Sequence, residues 1–438
     1  MIKVVYTFLL SVFFYCANAG VAFSQADTTL IQTYYDSAQT LLKEKYYILG
    51  NDSSQVQGQY QRYFRDGQLA AKARFERGKL EGSLRDYYQG GALQRVTPYE
   101  QGIKEGRVVV LNPQGDTIQT ATYTDDQLSG QMRLYYDDGK LKSQTYFVKG
   151  QPEGIIAYYY PNGNLREELT YTQGQQDGPA RYYYEDGSLK SEFTYQKSVI
   201  DGLVTEYYPS GQVADQTNFR KGQRHGSSQS FSEDGQLLRD EVYKNGFPEG
   251  VAKYYYPDGT LKRSLAYQDG KPIGVDQAFF ENGKIKTEII YETGRRTEKA
   301  YSSEGKLRYE KIFSTPEGSP TGTWKSYYPS GQIEKEETYT NGKLEGPVTT
   351  YYENGQKKSL QMYRKGRRTA TAKEYHPSGT LKAETEYYFG VPQGSYQEYH
   401  QNGQLAVEGT YQGGKKTGTW VFYDEEGNKV DSRKHSEP

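Results

Sequence analysis

The chain has 438 residues, enough for two to four ordinary domains, yet only 34% of it is hydrophobic, too little to fill several deep cores. Its 46 Tyr, 16 Phe and 48 Gly set it apart from a disordered polymer and favour many thin sheets with rings lying across them. Lys and Arg number 54 against 55 Asp and Glu, a net charge of −1 that excludes the basic excess of a nucleic-acid binder.

The first segment reads MIKVVYTFLLSVFFYCANAGVAFSQA. Lys3 precedes a largely apolar run over 4–15, and Ala17 and Ala19 follow in an A-x-A arrangement. This is the layout of a signal peptide over 1–26, with cleavage after Ala19 or near Ala26. The run is too short for a membrane span, so no transmembrane segment is expected in the mature chain. Export takes the chain to the periplasm, cell envelope or extracellular space. Cleavage also removes Cys16, the sole cysteine, and with it any disulfide; losing Lys3 makes the charge 53 − 55 = −2.

Residues 27–58 form a degenerate capping repeat, in which YYDSAQTLLKEKYYILG keeps paired aromatics around a larger turn. The array proper covers 59–430. Glycines recur every 24 residues from Gly67 through Gly91, Gly115 and Gly139 to Gly283, and the phase resumes from Gly331 to Gly427. Gly305 falls 22 after Gly283 and 26 before Gly331, so a short unit sits beside a long one and the register slips near 294–322. A second glycine follows each first by fifteen residues, as at Gly82, Gly106, Gly130, Gly154 and Gly178. The unit is YY-x-(D/N/S)-G-x-L-x(5)-Y-x-x-G-x-x-x-G.

Each piece has a local cause. YYPNG, YYEDG and YYPSG place Gly after Asn, Asp or Ser, a turn signal between two strands. After the turn Leu189, Ser191, Phe193 and Tyr195 alternate with Lys190, Glu192 and Thr194. The fold class is therefore all-β: an elongated array of about 16 consecutive 24-residue hairpins forming one long twisted antiparallel sheet. At about 10 Å per unit this predicts a rod on the order of 150 Å. The last unit, ending FYDEEGNKV, is expected to have an enlarged turn like the first, and 431–438 to form a frayed polar tail.

Tyr339 to Gly346 (YTNGKLEG) and Tyr171 to Gly178 (YTQGQQDG) carry the Y-x-x-G-x-x-x-G core. At 24-residue spacing this resembles the MORN repeat in its bacterial variant form, over about 34–427. Such arrays are similar to exported bacterial proteins grouped as the YwqK-family antitoxins of toxin–antitoxin systems. The resemblance implies consecutive hairpins in an elongated sheet, associated with membrane lipids and protein scaffolding. Here Trp324 and Trp420 alone hold a tryptophan-like phase, two residues after Gly322 and Gly418.

No catalytic constellation, metal site or cofactor site emerges. His376 and His400 share one phase and stand in for the second Tyr, about 10 Å apart, too far for one metal. The turn acids Asp66, Asp138, Asp186, Asp234 and Asp258 each stand alone, as turn geometry requires. Loop cations (Arg220, Lys221, Arg224; Arg295, Arg296; Arg364, Lys365, Arg367, Arg368) share one edge with Glu81, Glu105, Glu153, Glu249 and Glu345. Adjacent strand residues face opposite ways, so the two members of each Tyr pair cannot enter one core. One row, Tyr136, Tyr160, Tyr184, Tyr208, Tyr256, Tyr328 and Tyr352, is the candidate ligand surface.

The expectation is an exported, non-enzymatic repeat protein acting as a protein-binding or scaffolding surface, with an antitoxin-like inhibitor as its narrower form. The alternative is a cell-envelope binder of anionic lipid headgroups or glycans through that tyrosine row.

Overall fold

In a computed structural model of the chain, residues 27–315 and 318–436 are described. The expected signal peptide, its cleavage points and Cys16 lie outside the described residues. The protein is all-β, and Cα packing divides it into two units, Met1–Gly163 and Asn164–Pro438. The first runs from strand Thr28–Tyr34 to Gly154–Tyr159, the second from Leu165–Thr172 to Lys429–His435. Within each, consecutive strands pair antiparallel.

Two kinds of turn alternate. In the wide turn, Tyr184 N–H donates to the Ser188 carbonyl (2.8 Å) and Gly187 N–H to the Tyr184 carbonyl (2.9 Å). Gly187 has φ +93°, and the Asp186 carboxylate accepts the Ser188 amide at 2.8 Å. This is a type I turn closed by a glycine bulge, and it is why Asn, Asp or Ser precedes the periodic glycine. The tight turn joins Leu165–Thr172 to Gln175–Tyr183 through Gln173 (φ +50°) and Gly174 (φ +80°). Two successive positive φ values make a type I′ turn, whose twist matches that of the strands.

The second glycine of the motif marks a bulge. Leu169 lies opposite Ala180 but Tyr171 opposite Gln176, so two residues of the returning strand are unmatched there. This explains the register slip. Ile285–Glu292 pairs with Arg295–Tyr301 from Thr287↔Ala300 to Glu292↔Arg295 with no shift, because the bulge and its glycine are missing. In the following unit the bulge is present, but the turn from Ser314 to Ser319 is two residues longer. Both changes involve even numbers of residues, so no side chain changes face.

The first end agrees with expectation and the last does not. The opening hairpin, Thr28–Tyr34 with Leu42–Leu49, does have a larger turn, tied by Asp36 accepting the Thr40 and Leu41 amides. The last wide turn is not enlarged: Asp424 stands where other units have the second Tyr, and Gly427 N–H bonds the Asp424 carbonyl as elsewhere. The tail is not frayed over 431–435 either. Those residues continue the strand Lys429–His435, which pairs with Lys415–Tyr423 from Tyr423↔Lys429 to Gly418↔His435. Its polarity suits an edge strand, where charge discourages further pairing.

The faces of the sheet are unlike. On the buried face small residues lie under rings: Ala180 sits between Leu169 and Phe193, and Phe193 stacks on Tyr182 with centroids 5.7 Å apart. Burial pushes the phenols of Tyr60 and Tyr182 up to about 12. On the opposite face the first tyrosine of each pair faces a carboxylate one hairpin back. Tyr207 donates to Glu192 (2.8 Å), Tyr351 to Glu336 (2.8 Å) and Tyr423 to Glu408 (2.7 Å). Cross-strand Lys325 reaches Glu336 at 3.3 Å, completing a Tyr–Glu–Lys row.

Candidate binding surfaces

The seven candidate tyrosines open the wide turns, one per unit and half-buried, and they do not converge on a pocket. Their phenols are engaged within the fold. Tyr136 donates to the Tyr159 carbonyl (2.7 Å), Tyr184 to Tyr207 (2.8 Å), Tyr208 to Phe231 (2.8 Å), Tyr256 to Phe279 (2.8 Å), Tyr328 to Tyr351 (2.8 Å) and Tyr352 to Tyr375 (2.9 Å). Each bond runs 23 residues forward, from one unit's turn to the last strand residue of the next. Tyr160 occupies the equivalent place, its carbonyl accepting Gly163 N–H. His376 and His400 continue the ladder, with Nε2 3.1 and 3.0 Å from the Tyr399 and Tyr423 carbonyls. A proton on Nε2 satisfies both contacts.

The ring faces are partly covered as well. Lys142, Lys190, Lys262 and Lys358, each six residues on, hold Nζ 5.5–5.7 Å from the centroids of Tyr136, Tyr184, Tyr256 and Tyr352. The row is thus a longitudinal staple. Tyr184→Phe keeps the ring and removes one net hydrogen bond, so it is expected to lower stability by about 0.5–1.5 kcal/mol, measured by urea denaturation. A variant as stable as the parent shows that the bond contributes nothing.

A second ladder ties the tight turns: Gly222 N–H donates to Ile200 O (2.8 Å), Gly246 to Arg224 O (2.9 Å) and Gly366 to Leu344 O (2.9 Å). The loop acids belong to it. Glu81, Glu105, Glu249 and Glu345 accept the backbone amides of Gln101, Asp125, Asp269 and Lys365 in the next turn, at 2.7–3.0 Å. The wide-turn acids also spend an oxygen on their own turn. Hydrogen bonds from the Ser188 and Thr260 side chains, then from their backbone amides, hold Asp186 and Asp258 below the usual carboxylate range. Among the described residues no three His, Cys, Asp or Glu gather as a metal site.

Two features escaped the sequence reading. The first is an ionic cluster on the buried face. Asp276, only 3% exposed, takes two hydrogen bonds from Arg263, at 2.9 Å from Nε and 2.6 Å from Nη2. That bond holds the Arg263 guanidinium above its ordinary range. Buried Glu241 accepts from Tyr243 (2.9 Å) and Tyr254, and Arg239 bridges it at 3.7 Å to Asp215 at 2.7 Å. Tyr254 and Arg263 also line a pocket of about 460 Å³ with Leu238, Tyr255, Pro257 and Lys262. The signal was Asp276 itself, two residues after Gly274, where other units carry Val108, Ile156, Ala180 or Trp420.

The second is an apolar stripe on the Tyr–Glu–Lys face, beside the tight turns. Leu203 alternates with Thr205 and Tyr207 and so shares their face. With it Val242, Phe247, Val251, Ile273 and Val275 are exposed on strands between 199 and 279. Val251 lies opposite Ala266, Ala266 opposite Ile273, and Val275 opposite Ile290, so the apolar groups run from strand to strand.

Ten segments, 128–149, 152–173, 176–197, 200–221, 224–245, 248–269, 320–341, 344–365, 368–387 and 392–412, match the family described as MORN repeat variant. No curated protein matches the chain. Among solved structures it is similar to the Tc holotoxin pore of Photorhabdus luminescens bearing a TccC3 mutation. There identity is 14% over 85% of this chain and 23% of that one, with a TM-score of 0.16. It is also similar to TcdB2–TccC3, at 13% identity over 91% and 27% of the two chains with a TM-score of 0.17. The chain spans about a quarter of the length of these structures, and TM-scores this low carry no likeness of overall arrangement.

Proposed function

We propose that this chain of MORN-variant repeats is an exported, non-enzymatic binding array that holds a protein partner along its Tyr–Glu–Lys face. The observation that carries the reading is the stripe of Leu203, Val242, Phe247, Val251, Ile273 and Val275, exposed on a face whose other rows are polar. An apolar strip rimmed by tyrosines and charges has the composition of an interface core and rim. These residues lie off the buried face and keep 41–62% of their surface exposed, which leaves them available to a partner. A protein toxin is the narrower partner that the antitoxin-like resemblance implies.

The test places a photocrosslinking amino acid at Val251, Val275 and, as a control, Lys190 on the wide-turn edge, in the native envelope. One partner is expected from the first two positions and none from Lys190. Val251→Glu with Val275→Glu is expected to reduce its capture by about tenfold or more while the protein stays folded. Equal crosslinking at all three positions, or capture unaffected by the two glutamates, overturns the reading. Export has its own check: envelope protein should begin near Gly20 or after Ala26, and recovery from the cytosol with Met1 intact opposes it.

A further inference from the structure

The outermost strands differ in kind. The last, Lys429–His435, carries Lys429, Asp431, Arg433 and Lys434, charge that resists the addition of another strand. The first, Thr28–Tyr34, reads TTLIQTY, with Thr or Ile at four of its seven positions and no charge, proline or glycine. Among the described residues its only strand partner is Leu42–Leu49, so its outer side is a row of unpaired backbone groups. Which groups face outward follows from the pairing. Gly50 N–H donates to the Asp27 carbonyl (2.8 Å) and Leu49 N–H to the Gln55 carbonyl (2.9 Å), so the backbone of Leu49 turns away from Thr28. Antiparallel alternation then turns the N–H and C=O of Thr28, Leu30 and Gln32 to the open side and those of Thr29 and Ile31 inward.

The side chains of this edge are uncovered too. On the buried face Ile31 lies opposite Tyr46, whose ring meets that of Tyr60 with centroids 5.9 Å apart, and Tyr60 meets Phe75 at 5.6 Å. This apolar row crosses the strands Leu69–Glu76, Val56–Tyr63 and Leu42–Leu49 and stops at Ile31, which stays half-buried. Inside the array such a row is continued by the next strand, as Ala180 is by Phe193. On the other face Leu30, 44% exposed, lies opposite Tyr47, 38% exposed.

We infer that two copies of this chain pair through their first strands, antiparallel about a two-fold axis at Ile31, into one continuous sheet. In that register all of Thr28–Tyr34 overlaps, and outward groups meet outward groups: Leu30 of each copy exchanges its backbone bonds with Gln32 of the other. Ile31 meets its own counterpart in a non-hydrogen-bonded pair, where side chains come closest, and the row from Phe75 to Ile31 passes into the same row of the second copy. The strand is thus complementary to itself, which selects a second copy over a foreign strand. Two-fold closure leaves the charged Lys429–His435 as the free edge of both copies, so the assembly stops at two. This edge shares no residue with the apolar stripe.

The experiment is light scattering of the purified chain over a range of concentrations, with a dimer of micromolar dissociation constant expected. Leu30→Pro removes an outward N–H and no bond to Leu42–Leu49, so it should weaken the dimer by about tenfold or more while the monomer keeps its circular dichroism. Register is read with one thiol at a time in a chain carrying Cys16→Ser. Ile31→Cys should form a disulfide dimer on mild oxidation, because facing Cα atoms in such a pair lie about 4.5 Å apart. Thr29→Cys should not, since Thr29 faces Thr33 in that register and lies far from the other Thr29. Val251→Glu with Val275→Glu should leave the dimer intact. A chain still monomeric at about 100 μM, a dimer undiminished by Leu30→Pro, or Thr29→Cys crosslinking as readily as Ile31→Cys overturns the inference. So does photocrosslinking from Gln32 in the native envelope that captures another protein and not the chain itself.

Discussion

Gly409→Val is expected to destabilise the C-terminal units by about 3–5 kcal/mol, the scale of losing a buried tryptophan from a core. Trp420, 1% exposed, is the largest fully buried side chain among the described residues. It stacks on Tyr396 (centroids 5.1 Å), meets Tyr411 edge to face (5.2 Å) and lies under Lys416 Nζ at 4.0 Å. The room for its indole exists because position 409 has no side chain: a Cβ there would overlap the ring. Unlike the turn glycines, Gly409 needs no positive φ, so its role is close packing alone. Each repeat contacts only its neighbours, so hydrogen exchange should rise over 391–435 and stay protected near 200–250. Trp420→Ala should give the same pattern; a Gly409→Val protein with parental exchange refutes the packing.

Arg263→Ala has the next largest expected effect, up to about 3–5 kcal/mol, because it leaves a buried carboxylate without its counter-ion. Asp276 occupies the row that elsewhere holds Val108, Ala180, Ala252 and Val348, and it belongs there only as half of an ion pair. The partners are not equivalent. Arg263 keeps a 46% exposed side chain whereas that of Asp276 is 4% exposed, so losing the aspartate leaves a cation that water can reach. Asp276→Val is therefore expected to cost much less, and Arg263→Ala with Asp276→Val to recover most of the loss. Chemical denaturation of the two single variants and the double variant checks this. Effects that simply add show that the groups are not coupled.

The glycine register made the hairpins and their order legible, because each glycine answers a local demand for positive φ that few other residues meet. The slip at Gly305 was legible as a number but not as a cause. Pairing shows a deleted bulge followed by a turn two residues longer. The last turn, FYDEEG, is of ordinary size, not enlarged, because Asp424 takes the place of the second aromatic there.

By itself, the sequence determined everything local: an all-β chain, two turn types, alternation within each strand and a repeated unit. Tertiary structure decided what the side chains do. Nothing in the sequence beside the tyrosines of the candidate ligand row tells a free phenol from a bonded one. Their phenols reach carbonyls 23 residues away, a distance that only stacking closes. For the same reason Glu249 reads as loop charge until it meets the Asp269 amide, and Asp276 as surface charge until Arg263 lies across from it. Periodicity gives every unit the same local geometry. Contacts between units depend on which side chains that geometry brings face to face.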